Sequence, residues 1–125
     1  MMDIKLPHDH GHNTEMKLAH MQEHKEFNGI SDMFKLLGDS SRIRIFWLLC
    51  HCEECVMNVS AMVRMSSPAV SHHLKLLKAT GLITSRRVGK EVYYKAAQTE
   101  LVCQLHNMIE QMVEITCPNS KLEEN

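Results

Sequence analysis

The stretch from Ser66 to Lys95, SSPAVSHHLKLLKATGLITSRRVGKEVYYK, leaves few folds open. A hydroxyl residue followed by proline starts a helix. The side-chain oxygen accepts a first-turn amide hydrogen, and proline brings no amide of its own to leave unpaired. Val70, Leu74 and Leu77 recur at helical spacing and define an inner face. Ser67, Ser71, His72 and Lys75 then point outward, while His73 falls on the inner side. The helix runs to about Thr80, and Gly81 stops it. Leu82 to Arg86 and Glu91 to Lys95 alternate as two strands, joined at Val88-Gly89-Lys90. A short helix precedes them, Val59 to about Arg64, with Asn58 placed to cap it. The expected fold is mainly α with a small β-hairpin: a winged helix-turn-helix.

The rest of the chain supports that unit. Residues 1–13, with His8, His10 and His12 alternating, read as a flexible arm. A helix is expected from Thr14 to about Lys25, carrying His20 and His24 one turn apart. Asn28 or Ser31 opens a second, whose apolar Ile30, Met33, Phe34 and Leu37 repeat at helical spacing up to Gly38. Ser40 or Ser41 caps a third. Its Ile43, Phe46, Trp47 and Cys50, with Ile45, Leu48 and Leu49 between them, make it apolar nearly all round, which suits a central position. His51 to Glu54 is read as a connector. A last helix from about Thr99 to Thr116 carries Leu101, Leu105, Met108, Met112 and Ile115 on one stripe, read as a dimer seam. The folded domain is expected to span 14–117, followed by a flexible tail at 118–125.

Charge points to the partner. From Arg64 to Glu91 six cations face one anion, a net +5 inside a chain whose total is −1. A basic segment in a neutral protein is the footprint of a polyanion. A helix entering the major groove presents its first residues to base edges. Ser67, Ser71, His72 and Lys75 are the candidates there, with Arg86, Arg87 and Lys90 on the wing for phosphates. At 125 residues the chain makes one domain, with a core small enough that dimerisation helps. No apolar run is long enough to span a bilayer, and the N-terminus does not read as a signal peptide, so a cytoplasmic protein is expected. No phosphate-binding glycine loop and no G-x-S-x-G occurs, so an enzyme is not expected.

Five cysteines in such a chain favour metal or redox chemistry over a disulfide framework. Cys50, Cys52 and Cys55 form C-x-C-x-x-C, a possible three-sulfur site. Thiolates suit soft or borderline ions: As(III), Sb(III), Bi(III), Cd(II), Pb(II), Zn(II) or Cu(I). Oxidation of a pair of these thiols is the alternative signal. Additional ligands are possible at His8, His10, His12, His20, His24, Cys103 and Cys117. Ten methionines fit soft core packing and need no copper.

Three stretches, FKLLGDSSRIRIFWLL, SSPAVSHHLKLLKATGLI and SRRVGKEVYYKA, resemble the arsenic-repressor (ArsR/SmtB) family of winged-helix metal sensors. The resemblance covers roughly residues 28 to 116. It implies a homodimeric repressor, joined through its last helix, that binds double-stranded operator DNA without metal and leaves it with metal. It places DNA contacts at Ser67, Ser71 and His72. Where many members carry Cys-Val-Cys, this chain has Cys55-Val56-Met57, so its thiol set is shifted upstream. Zinc-sensing members place acidic and histidine ligands on the last helix at positions that are Gln98, Glu100, Gln111 and Glu114 here, a poor zinc set.

Overall fold

The computed structural model describes residues 5–22 and 26–116. Helices α1 (Thr14–Gln22), α2 (Phe27–Leu36), α3 (Ser40–Leu49), α4 (Val56–Val63), α5 (Ser67–Ala79) and α6 (Glu100–Thr116) alternate with strands β1 (Glu54–Cys55), β2 (Ile83–Val88) and β3 (Glu91–Ala96). They fall into two units, Met1–Phe34 and Lys35–Asn125. In the first, α2 starts at Phe27 rather than at Asn28 or Ser31, because the Glu26 carbonyl already accepts from the Ile30 amide at 3.0 Å. His24, Lys25 and Cys117 lie outside the described residues.

The second unit is built round α3. Helix α3 packs against α4 and α5, and Ile45, Phe46 and Leu49 are buried, as are Val59 of α4 and Val70, Leu74 and Leu77 of α5. Full burial of a side chain of this size contributes roughly 1.5–3 kcal/mol. Of the residues expected on the same stripe as Phe46, Trp47 turns toward the surface and Ile43 is only half-buried. The cap of α3 is also displaced from Ser40 or Ser41. Asp39 is extended, and its carboxylate accepts from the Arg42 amide at 3.0 Å. An ionised oxygen at a helix N-terminus gains from the helix dipole as well as from the hydrogen bond, which a serine hydroxyl does less well.

Helix α4 begins three residues before the expected start. Cys55 is its N-cap and makes no side-chain capping bond. Asn58 sits in the first turn and donates to Glu54 at 2.7 Å. The reason is tertiary. Glu54 and Cys55 pair with Tyr94 and Tyr93 of β3, so the connector ends as a strand and the chain turns directly into the helix. The sheet therefore has three strands in the order β1-β3-β2, one more than the expected hairpin. The hairpin itself closes from Val88 to Glu91 through Gly89, which has φ +63°.

Between α4 and α5 the chain turns at Arg64, whose φ of 57° is left-handed. The Met65 amide then reaches back to the Ser60 carbonyl at 3.1 Å and satisfies the end of α4. Ser66 caps α5 as expected: its hydroxyl accepts from the Ala69 amide, with proline in the first turn. Gly81, at φ 80°, lets the Leu82 amide return to the Leu77 carbonyl at 3.1 Å. On α6 the expected seam divides. Leu105, with Val102, packs into the core of its own unit, while Leu101, Met108, Met112 and Ile115 are exposed. No helix among the described residues is long and apolar enough to cross a membrane.

Candidate functional site

The N-terminal half of α5 has two contrasting faces. Val70, His73, Leu74 and Leu77 are buried, and Ser67, Ser71, His72 and Lys75 are exposed on the other side. The inner face is held partly by polar contacts. Arg42 donates through Nε to His73 Nδ1 at 3.2 Å and through Nη1 to the Leu36 carbonyl at 2.7 Å. Burial, and then the Arg42 charge, push the His73 pKa below its ordinary value, so the ring is held neutral. The Ser67 hydroxyl is bonded to that of Ser60 at 3.3 Å, which ties the first residue of α5 to α4.

The wing carries Arg86, Arg87 and Lys90, all exposed. Two of them are engaged. Arg87 donates to the Gly89 carbonyl at 3.2 Å and stiffens the tip. Arg86 forms a two-pronged pair with Glu53 at 2.7 and 2.8 Å and lies over the Tyr93 ring. The sequence count of +5 from Arg64 to Glu91 thus overstates the free charge of that segment, because Glu53 of the connector is folded onto its wing. Nothing local in the sequence signals this pair, since its members are 33 residues apart.

The three expected thiols lie along the connector between α3 and α4. Cys50 is the C-cap of α3, Cys52 Sγ donates to the Leu48 carbonyl at 3.4 Å, and Cys55 is buried at the β1–α4 junction. Burial, and secondarily the Glu110 charge, push the Cys50 thiol up to about 11. Burial and then Glu54 raise Cys52 as well. Cys50 and Cys52 border a cavity of about 350 Å³ shared with Cys103 and His106 of α6. The three sulfurs of Cys50, Cys52 and Cys55 are not drawn together to within 4.8 Å. Among the described residues, the ligand-type side chains that do converge so closely are His51, His106 and Glu110. Of these, His51 lies in the stretch His51 to Glu54 that is expected to be only a connector. At the other end of the chain, the His8 and His10 rings stack at 5.9 Å.

The sequence profile of the bacterial regulatory protein arsR family matches residues 39–85. A transcriptional repressor SmtB homolog from Synechocystis is 37% identical over 73 residues, covering 58% of this chain and 55% of that protein. The arsenic resistance transcriptional regulator ArsR2 of Pseudomonas putida is 35% identical over 80 residues, covering 63% of this chain and 69% of the relative. In fold, the chain matches a homodimeric winged helix-turn-helix DNA-binding domain from Mycobacterium bovis with a TM-score of 0.63. That match is at 22% identity and covers 87% of this chain and 91% of the other.

Proposed function

We propose, for a chain that belongs to the arsR family of bacterial regulatory proteins and is a DNA-binding regulator rather than an enzyme, that it represses transcription until a soft metal or metalloid ion is captured by cysteine. The observation that carries the DNA half is the outer face of α5. Ser67, Ser71, His72 and Lys75 are exposed together, on a helix whose opposite face is locked into the core. Small hydroxyls allow close approach to base edges or phosphate, His72 supplies a directional donor, and Lys75 a cation. Arg87 and Lys90 on the wing reach flanking phosphates, and Arg86 joins them when released from Glu53. Two copies are needed to read two half-sites. The exposed apolar residues of α6, Leu101, Met108 and Met112, supply the seam.

The proposed inducer site is Cys50, Cys52 and Cys55. An all-sulfur set fits As(III), Sb(III), Bi(III), Cd(II), Pb(II) or Zn(II). The bound ion would supply a cross-link between thiolates. The chain supplies the transmission. Cys55 is at once the end of β1 and the N-cap of α4, and no side-chain bond anchors that cap. Drawing Cys55 toward Cys50 and Cys52 therefore moves the first turn of α4 and, through the Ser60–Ser67 contact, the start of α5. Ligation must release protons from Cys50 and Cys52.

The test titrates the reduced full chain with As(III), Cd(II), Pb(II) and Zn(II), following thiolate charge-transfer absorption and duplex DNA affinity together. The expected result is charge transfer and loss of DNA binding with the same ion, both abolished by Cys52→Ser. DNA release by peroxide in chelator-treated buffer, with no charge transfer for any ion, would replace this inducer with thiol oxidation. Absence of salt-dependent DNA binding would remove the whole reading.

A further inference from the structure

Three metal-ligand atoms meet between the end of α3 and α6. His51 Nε2 lies 3.1 Å from Glu110 Oε1, and His106 Nε2 lies 3.0 Å from the same oxygen. The two Nε2 atoms are 3.1 Å apart. The Trp47 indole N–H donates to that same Glu110 oxygen at 3.0 Å.

Hydrogen bonds alone account poorly for this triangle. A carboxylate oxygen offers about two lone-pair sites, and Trp47 occupies one of them. Both imidazole nitrogens crowd the other. They also face each other at 3.1 Å, where only one of the two can carry the shared proton. Three metal-ligand atoms this close together suit a shared cation.

The dimensions suit one. A triangle with edges of 3.0–3.1 Å has its centre about 1.8 Å from each corner. An ion at the ~2.0–2.1 Å bond length of zinc to nitrogen or oxygen then sits about 1 Å off the plane, with a fourth position open.

The surroundings hold the ligands ready. Trp47 fixes the carboxylate through its indole N–H. The His51 ring is flanked by Trp47, with centroids 4.4 Å apart, and by the His106 ring, edge-on at 4.8 Å. His106 and Glu110 are one turn apart on α6, so a single helix presents two ligands together.

We propose that His51, His106 and Glu110 form a second metal site, for a borderline divalent ion of the zinc class. Its donor set is two imidazoles and a carboxylate, with no sulfur, so it is chemically distinct from the thiol site. It is also distinct from the positions of zinc-sensing relatives, which here are Gln98, Glu100, Gln111 and Glu114. Occupancy fastens α6 to the turn after α3 through ligands 55 and 59 residues apart. The site stands whether or not Cys50, Cys52 and Cys55 bind an inducer.

The chain's one tryptophan is Trp47, so its emission reads this site directly. The experiment titrates Zn(II) into reduced, metal-free full chain carrying Cys52→Ser, and into the same protein with His51→Gln or Glu110→Gln added. Zn(II) should change Trp47 emission to a saturating end point. Each ligand variant should weaken the response by at least about tenfold, the lower end of what losing even a supporting partner costs a metal site. Co(II) should give visible absorption without thiolate charge transfer. His51 is exposed, so His51→Gln should retain the metal-free melting temperature and report ligation alone. Emission that ignores Zn(II), or that responds equally in parent and both variants, overturns the site. Capture of the ion by the N-terminal histidines alone would give that result.

Discussion

Removing Glu53 should strengthen DNA binding by releasing a cation. In the folded chain Arg86 donates from Nε and Nη2 to the two Glu53 oxygens at 2.8 and 2.7 Å. The same bond holds the Glu53 carboxyl below the usual carboxylate range, so the pair is intact at neutral pH. A guanidinium held by both prongs has little left for a phosphate. Glu53→Gln removes the charge and keeps the shape. If Arg86 then gains one phosphate contact per subunit, the slope of log affinity against log salt steepens by about 0.9. Between 50 and 200 mM salt that is an extra loss of about 3.5-fold per subunit, or about twelvefold for a dimer with both wings engaged. Anisotropy of a labelled duplex across a salt series measures it. Glu53→Gln should bind more tightly than wild type at the low-salt end. Arg86→Gln alone should change little, and it should cancel the effect of Glu53→Gln in the double variant. A Glu53→Gln slope equal to wild type would mean that the ion pair does not withhold Arg86 from DNA.

Three further outcomes concern how α5 is held. Leu74→Ala removes a side chain that is 1% exposed on the inner face of α5; it should cost about 2–5 kcal/mol in urea unfolding, and a loss under 1 kcal/mol would show that the core closes over the gap. Ser66→Ala deletes the α5 cap and should cost about 0.5–2 kcal/mol, with faster amide exchange confined to the first turn of α5; exchange that rises uniformly would assign the cap no local role. His73 is held neutral in the fold, with its pKa below 6.5. The unfolded chain takes up the proton more readily, so stability present above pH 6.5 declines as pH falls from there through the folded pKa. His73→Gln should flatten that part of the pH profile, and a profile identical to wild type would place the titration elsewhere.

What the sequence determined is what neighbouring residues settle between themselves. Ser66 and Pro68 favour a helix start from their own neighbourhood, because the cap and the missing amide act within one turn. Val70, Leu74 and Leu77 share a face through helical spacing alone, and the outward set Ser67, Ser71, His72 and Lys75 follows by subtraction.

Tertiary structure decided whatever depends on a distant partner. Cys55 starts α4, and Asn58 does not cap it, because Tyr93 on β3 pairs with Cys55 and turns the connector into a strand. Leu105 looks like its seam neighbours at helical spacing, yet it is claimed by the core because of where α6 lies. Glu53 neutralises Arg86 across 33 residues. His51, a connector residue in sequence, joins His106 and Glu110 across more than fifty. Spacing rules reach one or two turns along a chain. A site assembled from the end of one helix and the face of another exists only once packing has set the distance between them.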